Sequence, residues 1–160
     1  MQDLATLAAP VAAGLRKHNH TVAVAESASG GLISAALLAV PGASDYYSGG
    51  SVVYTLAARK HILGITRDDV EGLEPLTEAM VLAFAEKARQ QLDATWGVAE
   101  LGVAGPSPAR YGHDAGISVV AVAGPQPKSF TVQTGHADRE ANMWAFTRAA
   151  LALLAKALDQ

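Results

Sequence analysis

Thr21-Val22-Ala23-Val24-Ala25-Glu26-Ser27-Ala28-Ser29-Gly30-Gly31 reads as a short apolar strand that breaks into a polar turn ending in two glycines. Residues 21–25 are apolar and β-branched and are bounded by turn chemistry, the pattern of a buried strand. The glycine pair leads into the apolar run 32–40, expected as a helix stopped by Pro41-Gly42. Upstream, Leu4, Leu7, Ala8, Val11 and Leu15 recur at helical spacing, which predicts an amphipathic helix over 3–17, ended by His18-Asn19-His20.

Farther along, 50–55 is expected as a second strand and 57–63 returns to helical composition before Gly64. Thr66-Arg67-Asp68-Asp69 has the spacing of a capping box and predicts a short helix. Val81, Ala85, Ala88 and Leu92 mark one face of a helix over 76–93. Strands are expected at 96–103, 117–122 and 129–133, before a terminal helix carrying Trp144, Leu151, Leu154 and Leu158 on one side. Helices between short apolar strands predict a three-layer α/β/α architecture. Only Gly124-Pro125-Gln126-Pro127 joins the last two strands, a link too short for a parallel crossover but suited to a hairpin. The expectation is one α/β domain over 1–160, with a mixed, mostly parallel sheet of about five strands and one antiparallel member.

Apolar residues make up 50% of the chain and aromatics only 6%, so the core should be built from Ala, Val and Leu, with closely packed helices. A net charge of −3 lacks the clustered Lys and Arg of a nucleic-acid surface. The absence of cysteine excludes disulfides, thiolate metal sites and a cysteine nucleophile. No stretch approaches the roughly 18–20 apolar residues of a membrane span, and the start lacks a secretory pattern, so a soluble cytoplasmic protein is expected, without membrane or nucleic-acid partners. Neither a metal nor a cofactor is implied, because the five histidines have no paired ligand spacing beyond His18-x-His20. The alanine-rich helices point to a homo-oligomer of unfixed number.

In α/β sheets ligands collect beyond the carboxyl ends of strands, where loops meet helix N-termini, and 26–31 occupies such an end. Three readings of Ser27 follow. It is a nucleophile with neighbouring N–H groups holding an oxyanion, a helix cap, or part of a cradle for phosphate. Glu26 either orients a substrate amide or hydrogen-bonds backbone amides. Ser29 would add a second hydroxyl, and Gly30 and Gly31 would allow close backbone approach.

Taken together with Tyr54 and the Gly102-Val103-Ala104-Gly105-Pro106 run, the chain resembles the C-terminal domain family of CinA, the competence/damage-inducible proteins. The family's Ala-Glu-Ser-Cys-Thr-Gly-Gly appears here as 25–31, followed by Val40-Pro41-Gly42-Ala43-Ser44. Its strand ending in Tyr-Ser-Asn matches the segment ending Tyr54-Thr55, Leu63-Gly64-Ile65 keeps register, and Leu76-Thr77 stands where Val-Ser is usual. Gly102 to Pro106 resembles Gly-Ile-Ala-Gly-Pro, and 135–139, ending Asp138-Arg139, is a looser match to a Gly-Asp-Arg element. The family includes amidohydrolases that convert nicotinamide mononucleotide to the nicotinic acid nucleotide and ammonia.

The resemblance implies Ser27 as nucleophile and Tyr54 as its proton relay, with Glu26, Ser29, Gly30, Gly31, Gly105 and Arg110 around a small-molecule nucleotide. The family lysine, five residues after the tyrosine, falls on Arg59. Arginine keeps its charge at ordinary pH and cannot serve as a base, so the resemblance leaves Lys60 as a displaced base, reachable only through a shifted helix start. The alternative is a nucleotide-binding module without hydrolysis, in which Arg59 pairs with a phosphate. A third reading is an interaction subunit with a vestigial site. The loop after Pro106, with Ser107, Arg110, Tyr111 and His113, departs from the family's Asp-Gly-Gly and Lys-Pro-Val-Gly-Thr runs, which implies an altered pocket lining.

Overall fold

The computed structural model describes residues 3–110 and 112–160; Tyr111, within the altered loop, lies outside the described residues. Asp3 caps α1 (Leu4–His18), its carboxylate accepting from the N–H groups of Ala5 and Thr6. The chain then runs through β1 (Val22–Glu26), α2 (Leu32–Ala39), β2 (Tyr47–Val52), α3 (Leu56–His61) and α4 (Glu78–Gln91). Three strands, β3 (Trp96–Val103), β4 (Ile117–Ala123) and β5 (Lys128–Gln133), precede the long α5 (Arg139–Leu158).

The strands form one sheet in the order β2-β1-β3-β4-β5. Strand β1 pairs in parallel with β2 and β3, whereas β4 is antiparallel to both β3 and β5. Four strands therefore share a direction and β4 alone opposes them, which gives the mixed, mostly parallel sheet anticipated from the short 124–127 link.

Residues of β1 alternate between two cores. Val22 and Val24 join α1, α2 and α5 on one face, and Ala23 and Ala25 join α4 on the other. Every position of β1 is buried, as expected for a central parallel strand covered on both sides. Small residues bring α4 close: a Cβ at Gly97 would lie 1.9 Å from the Ala85 carbonyl oxygen. On the opposite face Phe146 of α5 is fully buried, worth about 1.5–3 kcal/mol by transfer from water.

Two expectations change. The second strand runs over Tyr47–Val52 instead of 50–55. Edge pairing to β1 is made by the backbone, so Gly49 and Gly50 enter the ladder without strand-forming side chains, and Thr55 turns out to cap α3 by accepting from Ala58 N–H. The capping box at Thr66 and Asp69 forms, with each residue's backbone N–H bonded to the other's side chain, but it carries only a 3₁₀ turn at Asp68–Val70. Among the described residues no helix is long and apolar enough to cross a membrane.

Candidate functional site

Beyond the carboxyl ends of β1, β2 and β3 the connecting loops enclose a hollow of about 740 Å³, within the size range of small-molecule sites. Ser27, Tyr54, Arg59, Gly105, Arg110 and Arg139 are among its lining residues. They come from several separate segments of the chain. Ser27 follows β1, Tyr54 follows β2, Arg59 lies on α3, Gly105 and Arg110 follow β3, and Arg139 begins α5.

Ser27 is 4% exposed, and its N–H donates to Glu100 Oε2 at 3.1 Å. Its hydroxyl makes no hydrogen bond among the described residues. The next residue, Ala28, also lines the hollow, and its N–H has no acceptor among the described residues. A hydroxyl beside an unclaimed amide is the pair that acyl transfer requires, nucleophile and oxyanion donor.

The rest of the turn faces away. Glu26 is fully buried and receives Ser29 Oγ at 2.6 Å and the N–H groups of Gly31, Ile33 and Ser34 at 2.9, 3.1 and 3.0 Å. Gly31, at φ 100°, occupies the cap position of α2 and has no side chain to satisfy the helix N–H groups, so Glu26 reaches forward to do so. These amides were one expected attraction for a phosphate, and a carboxylate already holds them. Ser29 is likewise fully buried, with its hydroxyl on Glu26 and Glu100. Gly30 is exposed and takes φ 69°, a left-handed conformation that favours glycine. None of Glu26, Ser29, Gly30 and Gly31 lines the hollow. The turn supports Ser27 instead of supplying further contacts.

On the opposite wall, Tyr54 is 57% exposed and its hydroxyl accepts from Arg139 Nη2 at 3.2 Å. Arg139 Nη1 donates to the carbonyl of Gly105, so one guanidinium joins the Tyr54 side of the hollow to the Gly105 loop. Gly105 takes φ 99°, and a Cβ there would meet the Ala137 carbonyl oxygen at 2.8 Å, a crowded position suited to glycine. Arg59 donates through Nε to the Val53 carbonyl at 3.2 Å, and its Cζ lies 5.6 Å from the centre of the Phe84 ring. Its guanidinium is thus held by the Val53 carbonyl and the Phe84 ring while the residue borders the hollow. Lys60 is exposed and does not line the hollow. The Thr55 cap sets the start of α3 at Leu56 and so fixes the turn on which Arg59, not Lys60, is presented. His113 also stands outside the lining.

Two neighbours of the candidate site escaped the sequence reading. Glu100 on β3 pairs in register with Glu26 on β1, and is held by Ser27, Ser29 and Ser118. Burial pushes its carboxyl above the ordinary range, and those hydrogen bonds offset the push only in part. Arg139 had a signal, the loose Gly-Asp-Arg match, but its meaning depends on contact with Tyr54, 85 positions away.

The model of the CinA C-terminal domain family matches residues 4–158. A CinA-like protein of Prochlorococcus marinus (strain MIT 9313) is 41% identical over 138 residues, 83% of this chain and 32% of that protein. One from Synechococcus sp. (strain RCC307) is 37% identical, over 87% of this chain and 33% of its own length. The chain thus spans about a third of these relatives. Among solved structures, a competence-damaged protein (CinA) superfamily protein from Klebsiella pneumoniae 700603 superposes with a TM-score of 0.89 at 26% identity, covering 99% of both chains. A competence/damage inducible protein from Agrobacterium tumefaciens gives 0.85 at 27% identity, over 100% of this chain and 98% of that one. With sequence and fold matched over nearly its whole length, the chain belongs to the CinA C-terminal domain family.

Proposed function

We propose that the hollow binds a phosphate-bearing pyridine nucleotide and that Ser27 hydrolyses its carboxamide, nicotinamide mononucleotide giving the nicotinic acid nucleotide and ammonia. The observation that carries this reading is the convergence of the Ser27 hydroxyl, the unclaimed Ala28 N–H and Tyr54 on one hollow bordered by Arg59, Arg110 and Arg139. Three guanidinium groups suit a dianionic phosphate, which they would hold through charge-assisted hydrogen bonds. In the reaction, Ser27 Oγ bonds to the amide carbon and Ala28 N–H receives the developing oxyanion. Tyr54 accepts the serine proton and passes its own to the departing nitrogen, so ammonia leaves with the proton count balanced. Water then cleaves the acyl-serine, releasing the carboxylate and restoring the hydroxyl.

A second reading has one observation in its favour: no Lys, His, Asp or Glu is among the described lining residues, so the hollow lacks a strong proton acceptor. On that reading it binds the nucleotide without turning it over. Ammonia release from nicotinamide mononucleotide by the wild type, lost in Ser27→Ala, supports hydrolysis; no release by either refutes it. Titration calorimetry then decides whether the nucleotide still binds. If hydrolysis is limited by proton transfer, Arg59→Lys raises the rate, because a lysine at this wall restores a group able to shed its proton.

A further inference from the structure

Behind the turn, two buried carboxyl groups have hydrogen bonds that do not balance if both are charged. Ser29 has one hydroxyl hydrogen, yet its Oγ lies 2.6 Å from Glu26 Oε1 and 2.9 Å from Glu100 Oε2. All the remaining contacts of Glu26 are N–H donors, so the Ser29 hydrogen belongs on the shorter contact, with Glu26 the charged partner at the start of α2. The lone pairs of Ser29 then face Glu100 Oε2, an approach that a negative oxygen resists and a neutral carbonyl tolerates. Two N–H groups, from Ser27 at 3.1 Å and Ser29 at 2.9 Å, already occupy Oε2. At the other oxygen, Oε1 is 2.9 Å from Ser118 Oγ, which has a second acceptor of its own, the Leu101 carbonyl at 3.2 Å.

We propose that Glu100 is held as an uncharged carboxylic acid: Oε1–H donates to Ser118, Ser118 donates to Leu101, and the carbonyl Oε2 fixes the Ser27 and Ser29 amides. Glu100 is then a positioning residue for Ser27, a part of the inference that rests on the proposed role of Ser27. The protonation does not. Strand β1 presents Glu26, β4 presents Ser118 and the turn presents Ser27 and Ser29; no cation among the described residues ion-pairs with either carboxyl. Burial favours the same state.

Infrared spectroscopy of the wild type at pH 7 should show a protonated-carboxyl band that shifts on 13C-glutamate labelling and is missing from Glu100→Gln. The glutamine places a carbonyl at the Oε2 position and an amide donor toward Ser118, so it should fold with a thermal midpoint at or above the wild type. The sign follows from linkage. A carboxyl raised in the folded state contributes stability that is full below its ordinary value of 4.5 and is lost as pH rises, and glutamine has no such loss. The advantage of Glu100→Gln should therefore shrink as pH falls toward 4.5, while Glu100→Ala is destabilised throughout. If turnover is found, the glutamine keeps kcat and the alanine lowers it.

Absence of the band from the wild type, or a Glu100→Gln that fails to fold or is as damaged as the alanine variant, would overturn the proposal. A protein with the band and the glutamine tolerance but no hydrolysis would sink only the activity proposed above.

Discussion

Ser27 and Ser29 stand two residues apart on the same turn and have opposite surroundings. Ser29 is fully buried, and its hydroxyl touches two carboxyl groups within 2.9 Å. Ser27 has its amide tied back to Glu100 while its hydroxyl, on the hollow, has no partner among the described residues. The turn has a structural face and, on the proposed function, a chemical face, and residue type does not distinguish them. Buried polar groups are costly unless paired, so pairing marks the structural side, and the near-buried hydroxyl left over is the one to which the proposed function assigns the chemistry.

The contrast breaks most visibly at Glu26. Glu26→Ala strips the acceptor from the N–H groups of Gly31, Ile33 and Ser34 and from the Ser29 hydroxyl, and should cost more than about 3 kcal/mol in urea denaturation, since each unmet buried donor costs about 1–3 kcal/mol and the part-buried pair at Gly31 and Ser34 adds to the buried pair at Ser29 and Ile33. A loss under 1 kcal/mol would mean water replaces the carboxylate and the structural face is not sealed. Ser29→Ala should cost about 1–3 kcal/mol, whereas Ser27→Ala should leave stability within about 0.5 kcal/mol of wild type and act only on turnover. Equal destabilisation by the two would erase the distinction.

On the chemical face, Arg139→Ala should weaken nicotinamide mononucleotide binding about 10- to 100-fold, the worth of a charge-assisted contact of about 1.5–3 kcal/mol, with unfolding barely changed. An unaltered Kd in calorimetry would remove Arg139 from the phosphate set. The smallest effect is expected at Thr55→Ala. Loss of the α3 cap should cost about 1 kcal/mol and, by loosening the turn that presents Arg59, raise the Kd modestly.

Much of the scaffold could be read in advance because it depends on local pattern. The central strand β3 occupies the expected 96–103, and the short 124–127 link gave the direction of β4 against β5. Edge strand β2 was displaced because backbone pairing with β1 admits Gly49 and Gly50, which carry no strand signal of their own. Within the site, Ser27, Tyr54, Arg59, Gly105 and Arg110 are brought to the hollow, while Glu26 and Ser29 are drawn into the support beneath it, Gly30 and Gly31 stay off its wall and Lys60 is exposed. Glu100 resembles an ordinary polar residue in an apolar run until β3 lies in register beside β1. Arg139 matters only because β5, running in the same direction as β2, delivers the chain to the same end of the sheet as Tyr54. Such non-local facts leave little trace at one position.

A crystal structure of the protein soaked with nicotinamide mononucleotide, using Ser27→Ala to hold the substrate intact, would show whether position 27 faces the carboxamide. The phosphate should lie against Arg139 and its neighbouring guanidinium groups, with the carboxamide carbon about 3–3.5 Å from where Ser27 Oγ would stand. A nucleotide bound in the hollow with its carboxamide turned away from position 27, or density for it only elsewhere on the surface, would contradict the proposed function.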